Sequence, residues 1–299
     1  MRKFAPLLVA LVATLAQAQD LPVVEETIVL ESERPEAWAM KYFAGVTLLT
    51  AGLPPEARAP GSFSVAFELI TIPQLSERQR TVGFNGIKEE DLDKLPLMGR
   101  GRIIVGLPLG LEATLGWVPP LEIRGVESNL VSGSLARAFA VGAATDVWLR
   151  AFAQTGDVEG SFTCFDEVLA FPPTSPGNPF GCEELSSDVY SVDYFGGEVG
   201  IARQLRAVTA PRVHLALLAA NTDTEFQVDA IRSGFLDRTL LLHEGSIVAA
   251  TAGASWSLPG GLGAGLEVVW VPLEIRRPES SGAEDDPLVN VRVLLGYDF

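Results

Sequence analysis

The chain has 299 residues, 47% of them hydrophobic, and a formal net charge of −16. With 22 Lys and Arg against 38 Asp and Glu it lacks the basic footprint that phosphate recognition requires, which excludes a nucleic-acid partner. Beyond the N-terminus no segment approaches the roughly 18 uninterrupted apolar residues of a helical span, so high apolar content without long apolar runs points to alternating strands.

In chain order, Met1-Arg2-Lys3 supplies a positive start, Leu7 to Leu15 an apolar run, and Ala16-Gln17-Ala18 a small-x-small cleavage pattern. These predict a signal peptide over residues 1–18, too short for an anchor of about 20 residues, and a single exported unit over residues 19–299. Residues 19–37 read as a first strand built on Thr27–Glu31, or else as a tail or plug.

Strands follow wherever the period is two. Phe63, Val65, Phe67 and Leu69 oppose Ser64, Ala66 and Glu68. Ile103, Val105 and Leu107 oppose Arg102 and Gly106, and Leu111 to Trp117 alternates about Glu112. Val213 to Ala219 and Leu262 to Trp270 do the same, with His214 and Glu267 on the minor faces. Segments 38–50, 128–140, 143–156, 190–204 and 246–257 are weaker strands, their parity broken by Phe43, Trp148 or runs of Ala and Ser.

Connections have two lengths. Leu107-Pro108-Leu109-Gly110, Gly142-Ala143-Ala144 and Leu258-Pro259-Gly260-Gly261 are tight turns. Segments 73–99, 157–189, 221–240 and 276–287 are long and polar. Cys164 and Cys182, the two cysteines of an exported chain, flank a Pro- and Gly-rich stretch and are predicted to form a disulfide.

At the C-terminus Val289, Val291, Val293, Leu295, Tyr297 and Phe299 occupy every second position. Combined with a signal peptide, a final strand ending on an aromatic residue resembles the terminal assembly signal of Gram-negative outer-membrane β-barrels; Leu294 stands where that signal often has glycine. The resemblance rests on about ten residues. It implies an all-β, single antiparallel transmembrane barrel in the outer membrane, with Tyr297 and Phe299 read by the barrel-assembly machinery and the wall in contact with lipid and lipopolysaccharide. Short turns then face the periplasm and long loops the outside. Eleven strands from residue 38 onward, plus Thr27–Glu31 rising from a periplasmic N-terminus, predict about 12 strands.

With the apolar parity facing lipid, Lys41, Glu68, Arg102, Glu112, Asp146, Arg150, Glu198, Glu267 and Arg292 point into the lumen. Two roles stay open for them: setting the selectivity of a water path, or pairing to brace the wall. Trp117-Val118-Pro119-Pro120-Leu121-Glu122-Ile123-Arg124 echoes Trp270-Val271-Pro272-Leu273-Glu274-Ile275-Arg276. Glu122, Arg124, Glu274 and Arg276 are therefore candidates for a shaped rim. The alternative is two strands that each end on an interfacial Trp and a ladder-stopping Pro. No metal or cofactor motif is present. His243 and Ser246 leave a lipid hydrolase as one reading, and a closed structural or adhesive barrel is another. The reading favoured by the architecture is a passive channel or transporter for an unknown small solute or hydrophobic compound.

Overall fold

Ten antiparallel strands alternate with tight turns and long loops: β1 (Phe63–Thr71), β2 (Leu97–Leu107), β3 (Leu111–Val118), β4 (Val126–Gly142), β5 (Thr145–Gly160), β6 (Asp188–Gln204), β7 (Arg212–Gln227), β8 (Leu240–Ser257), β9 (Leu262–Val271) and β10 (Leu288–Asp298). The computed structural model describes residues 21–206 and 210–299; the predicted signal peptide lies outside the described residues. Each strand pairs with its sequence neighbours, and β10 pairs back onto β1, so the sheet closes on itself. Closure removes the free edges that an open sheet would expose.

Side-chain parity follows the sequence alternation. Phe67, Leu115, Leu149, Leu217, Val268 and Leu295 are exposed on the outer face, together with many other large apolar side chains. Glu68, Arg102, Arg150 and Arg292 are buried on the inner face. Trp117 and Trp270 lie outward near the long-loop end of this apolar belt. At the other end Phe299 donates its N–H to the Phe63 carbonyl at 3.1 Å, and its ring sits 5.4 Å from that of Phe63 and 4.8 Å from that of Tyr297. A band this large and continuous exceeds what a water-soluble monomer exposes.

The barrel has ten strands, not 12, because two predicted strands are something else. Thr27–Val29 pairs parallel to Leu240–Leu242 as an added strand outside the ring. It descends from the long-loop end instead of rising from the short-turn end. Residues 38–50 are not a strand either: Pro35–Thr47 forms helix α1, with Pro35 opening its first turn. Ala, Met and Lys favour that state, and no β-branched residue occurs before Val46. Almost the whole helix is buried, so it is apolar on every side and carries no amphipathic stripe. Gly45 lets it approach the wall, since a Cβ there would lie 2.9 Å from Leu288 Cδ2.

After α1 the chain runs extended to Gly52, turns there with φ +67°, and reaches the short-turn end before entering β1. The N-terminal part of the chain therefore enters at the long-loop end and threads the ring. It is a plug, built mostly from residues beyond 37 that the sequence read as a strand, whereas Val23–Val24 and Thr27–Val29 stay at the long-loop end.

Candidate functional site

The plug is held by its backbone. Arg292 donates to the carbonyls of Val46 and Leu48, Arg100 to Thr47, Arg150 to Leu49 (2.6 Å), and Arg102 to Thr50 (2.9 Å) and Ala51 (3.1 Å). Tyr194 donates its hydroxyl to the Thr47 carbonyl at 3.1 Å and accepts the Leu49 N–H at 2.7 Å. Six consecutive carbonyls, from the C-terminal end of α1 into the extended segment after it, are thus satisfied by wall side chains. Hydrogen bonds to charged donors are the stronger kind, about 1.5–3 kcal/mol each.

The carboxylates that balance these arginines complete the seal. Glu68 meets Arg102 at 2.7 Å, Arg100 at 3.4 Å and Arg292 at 3.5 Å, and both Glu68 and Arg292 are 0% exposed. Arg150 pairs with Glu198 at 2.5 Å, and Glu198 also accepts Trp148 Nε1–H at 2.7 Å. Glu267 contacts His214 at 3.3 Å and the Thr50 hydroxyl. His214 keeps the hydrogen-bonded lumen place that its parity implied.

Other predicted site residues fall elsewhere. Glu112 faces inward but pairs with Arg58 at 2.8 Å near the short turns, away from Arg292. Asp146 sits at that same mouth, paired with Arg212 at 2.8 Å and partly exposed. Lys41 is on α1, not on a wall strand, and donates to the Ser32 carbonyl at 2.6 Å. The two echo segments are not brought together, because β3 and β9 are separated around the ring by β10, β1 and β2. Glu122 and Arg124 lie exposed at a tight turn closed by Ile123 and Val126, whereas Glu274 sits opposite Asp285 in a short two-stranded ladder and Arg276 forms an ion pair with Glu33. His243 points inward and Ser246 outward, so period two places them on opposite faces; His243 Nε2 lies instead 3.2 Å from Ser32 Oγ.

Above the plug, at the long-loop end, lies a cavity of about 190 Å³. Its floor is Ala39, Met40 and Phe43 of α1. Phe162, Tyr190 and Phe226 continue it as an aromatic wall, with ring centroids 5.5 Å (Phe43–Tyr190), 6.0 Å (Phe43–Phe162) and 6.2 Å (Phe162–Phe226) apart. Val82, Gly83, Phe84 and Leu92 contribute from the first long loop, and Glu26 and Ile28 from the entering chain. Phe84 and Asn85 adopt left-handed backbone, φ 51° and 61°, a costly state for a bulky residue such as Phe84. Phe84 is held there by stacking on Phe180 at 5.2 Å, with the Arg232 guanidinium 4.7 Å above its ring. Burial pushes the Glu90 carboxyl up to about 8, against the pull of the Lys88 ammonium 2.6 Å away. A wider concavity of about 800 Å³ lies on the outer wall beside Leu135, Leu217 and Trp270, within the apolar belt.

Cys164 and Cys182 form the predicted disulfide, buried with Val228 and Ala230 behind the pocket wall. Closing a loop of this length is worth about 3 kcal/mol in the chain-entropy model. Replacing both cysteines by serine is expected to speed amide exchange in residues 161–187 and 228–239 while the barrel strands stay protected. Exchange unchanged in both loops would show that the bridge is idle.

No protein-family model and no curated protein matches the chain. Among solved structures it is similar to Ail, the attachment invasion locus protein of Yersinia pestis, at 11% identity and TM-score 0.32, covering 81% of this chain and 100% of that one. The outer membrane protease OmpT from Escherichia coli gives 9% identity and TM-score 0.30, covering 80% and 94%. The outer membrane protein AlkL gives 11% and 0.26, covering 84% and 97%. Likenesses this slight bring no function across; the barrel assignment stands on the strand pairing above.

Proposed function

We propose that the chain is a Gram-negative outer-membrane barrel whose lumen is stopped by its own N-terminal segment and whose outward pocket captures a small apolar compound. The pocket carries this reading: an aromatic, mostly apolar cavity held over a plug whose carbonyls from Val46 to Ala51 are taken by wall side chains. Pockets of this kind, apolar with a few convergent polar groups, are where small ligands bind. The outer belt supports contact with lipid and lipopolysaccharide, the chain-end aromatics support delivery by the barrel-assembly machinery, and the long loops then face outside. Steady passive flow, the simplest channel reading, would require the plug to leave, and the arginine contacts oppose that.

Two measurements test this reading. In planar bilayers the full-length protein is expected to show no steady open conductance. In lipid nanodiscs, trifluoromethylbenzene is expected to give a shifted bound fluorine resonance that disappears in Met40→Trp, where the indole fills the cavity; heat-modifiability on gels checks that the variant is folded. Stable conductance steps would restore the channel, and a bound signal untouched by Met40→Trp would move the site elsewhere.

A further inference from the structure

We infer that the pocket selects a small organic cation: a quaternary or protonated ammonium on a compact apolar body of about one ring. The inference rests on the reading of this cavity as a capture site and names what is captured.

Size sets the scale. At about 190 Å³ the cavity is somewhat larger than the roughly 150 Å³ that admits benzene in a protein interior. An aromatic ring or a trimethylammonium group with a few carbons fills it, and a long acyl chain does not.

The lining sets the sign of charge. Phe43, Phe162, Tyr190 and Phe226 present π-systems whose faces attract cations. The Tyr190 hydroxyl is used on the Met40 carbonyl at 2.7 Å, so the ring is what this residue offers a ligand. Carboxylates at the edge point the same way. Glu26, Glu36 and Asp237 line the cavity, while Arg232, the partner of Asp237, stands behind it and does not. Arg34 is the one lining cation among the described residues, and its Nε and Nη2 are both donated to Glu36, at 3.2 Å and 2.9 Å. An anion would therefore meet a guanidinium already engaged by Glu36, with carboxylates around it. Glu26 has no ion pair among the described residues and stands exposed at the edge. The net charge of −16 favours approach of a cation from a distance.

Three compounds of similar size isolate the charge: benzyltrimethylammonium, its neutral isostere neopentylbenzene, and benzoate. Binding to the full-length barrel in nanodiscs of uncharged lipid is read by saturation-transfer NMR. Benzyltrimethylammonium is expected to bind at least about ten-fold more tightly than neopentylbenzene, since more than one ring is available for cation–π contact, and benzoate should not compete. Phe43→Leu keeps the apolar floor and removes one ring face; it should weaken the cation about five-fold and leave neopentylbenzene within about two-fold. Glu26→Gln should weaken the cation alone. If neopentylbenzene binds as tightly as the cation, the cavity is a plain apolar site and the charge inference falls while the capture reading stands. If none of the three binds and Met40→Trp changes nothing, both fall.

Discussion

Replacing Glu68 by alanine is expected to abolish assembly of the folded barrel, or to lower its urea midpoint in lipid by more than any other single change in the lumen. Glu68 is the common partner of Arg100, Arg102 and Arg292, and all four are at most 3% exposed. Removing one member of a buried ion pair typically costs about 3–5 kcal/mol, because the remaining charge stays desolvated. Here one deletion strands three cations. The plug carbonyls can share their hydrogen bonds with these arginines but cannot neutralise them. Glu68→Gln keeps the size and one acceptor and should fall between, and Glu68→Ala with Arg102→Ala should recover part of the loss. Glu112→Ala is the contrast: its partner Arg58 is 18% exposed at the short-turn end, so water compensates and the expected cost is about 1 kcal/mol. Equal midpoints for Glu68→Ala and Glu112→Ala would contradict the central role given to the Glu68 cluster.

The wall of this barrel was legible because period two is a strong local signal. Phe63 to Leu69, Ile103 to Leu107 and Val289 to Phe299 face as their parity implies. Tight turns were legible from Pro and Gly, and the disulfide from an even cysteine count read together with the expected signal peptide. The plug was not. A helix buried on every side has no apolar stripe, so Trp38 to Val46 carries no helical period to set against a weak alternation. Its cues were compositional: Pro35 at the start, then Ala, Met and Lys. Arg100 shares the parity of Arg102 and was hidden because the strand reading began too late, at residue 102, whereas β2 begins at Leu97. The arginine clamp itself leaves no complementary mark, since its acceptors are backbone carbonyls that any residue supplies. The pocket draws on five separated stretches of chain, from Glu26 to Leu241, and no local pattern joins them.

The threading direction gives the other large effect. An epitope tag placed immediately ahead of Leu21 is expected to bind antibody on intact cells, with the same tag placed at Ala143 detected only after the outer membrane is opened. Pro22 accepts the Leu236 N–H at 2.9 Å, Val23 and Val24 pair parallel with Leu236 and Asp237, and Thr27–Val29 pairs parallel with Leu240–Leu242. All of these partners lie at or beyond the long-loop end of β8. Parallel pairing with a descending strand requires this chain to descend too, so it enters from the long-loop side and leaves the lumen at the short-turn side to begin β1. A chain that rose from the short-turn side, as the strand count suggested for Thr27–Glu31, would pair antiparallel with β8. Ala143 lies in the tight link between β4 and β5, at the opposite end of the barrel. The two tags therefore separate the alternatives without disturbing the lumen. A signal at Ala143 on intact cells and none ahead of Leu21 would invert the barrel and move the aromatic pocket to the periplasmic face. Silence at both sites before permeabilisation would mean that the N-terminal segment does not thread the ring from outside.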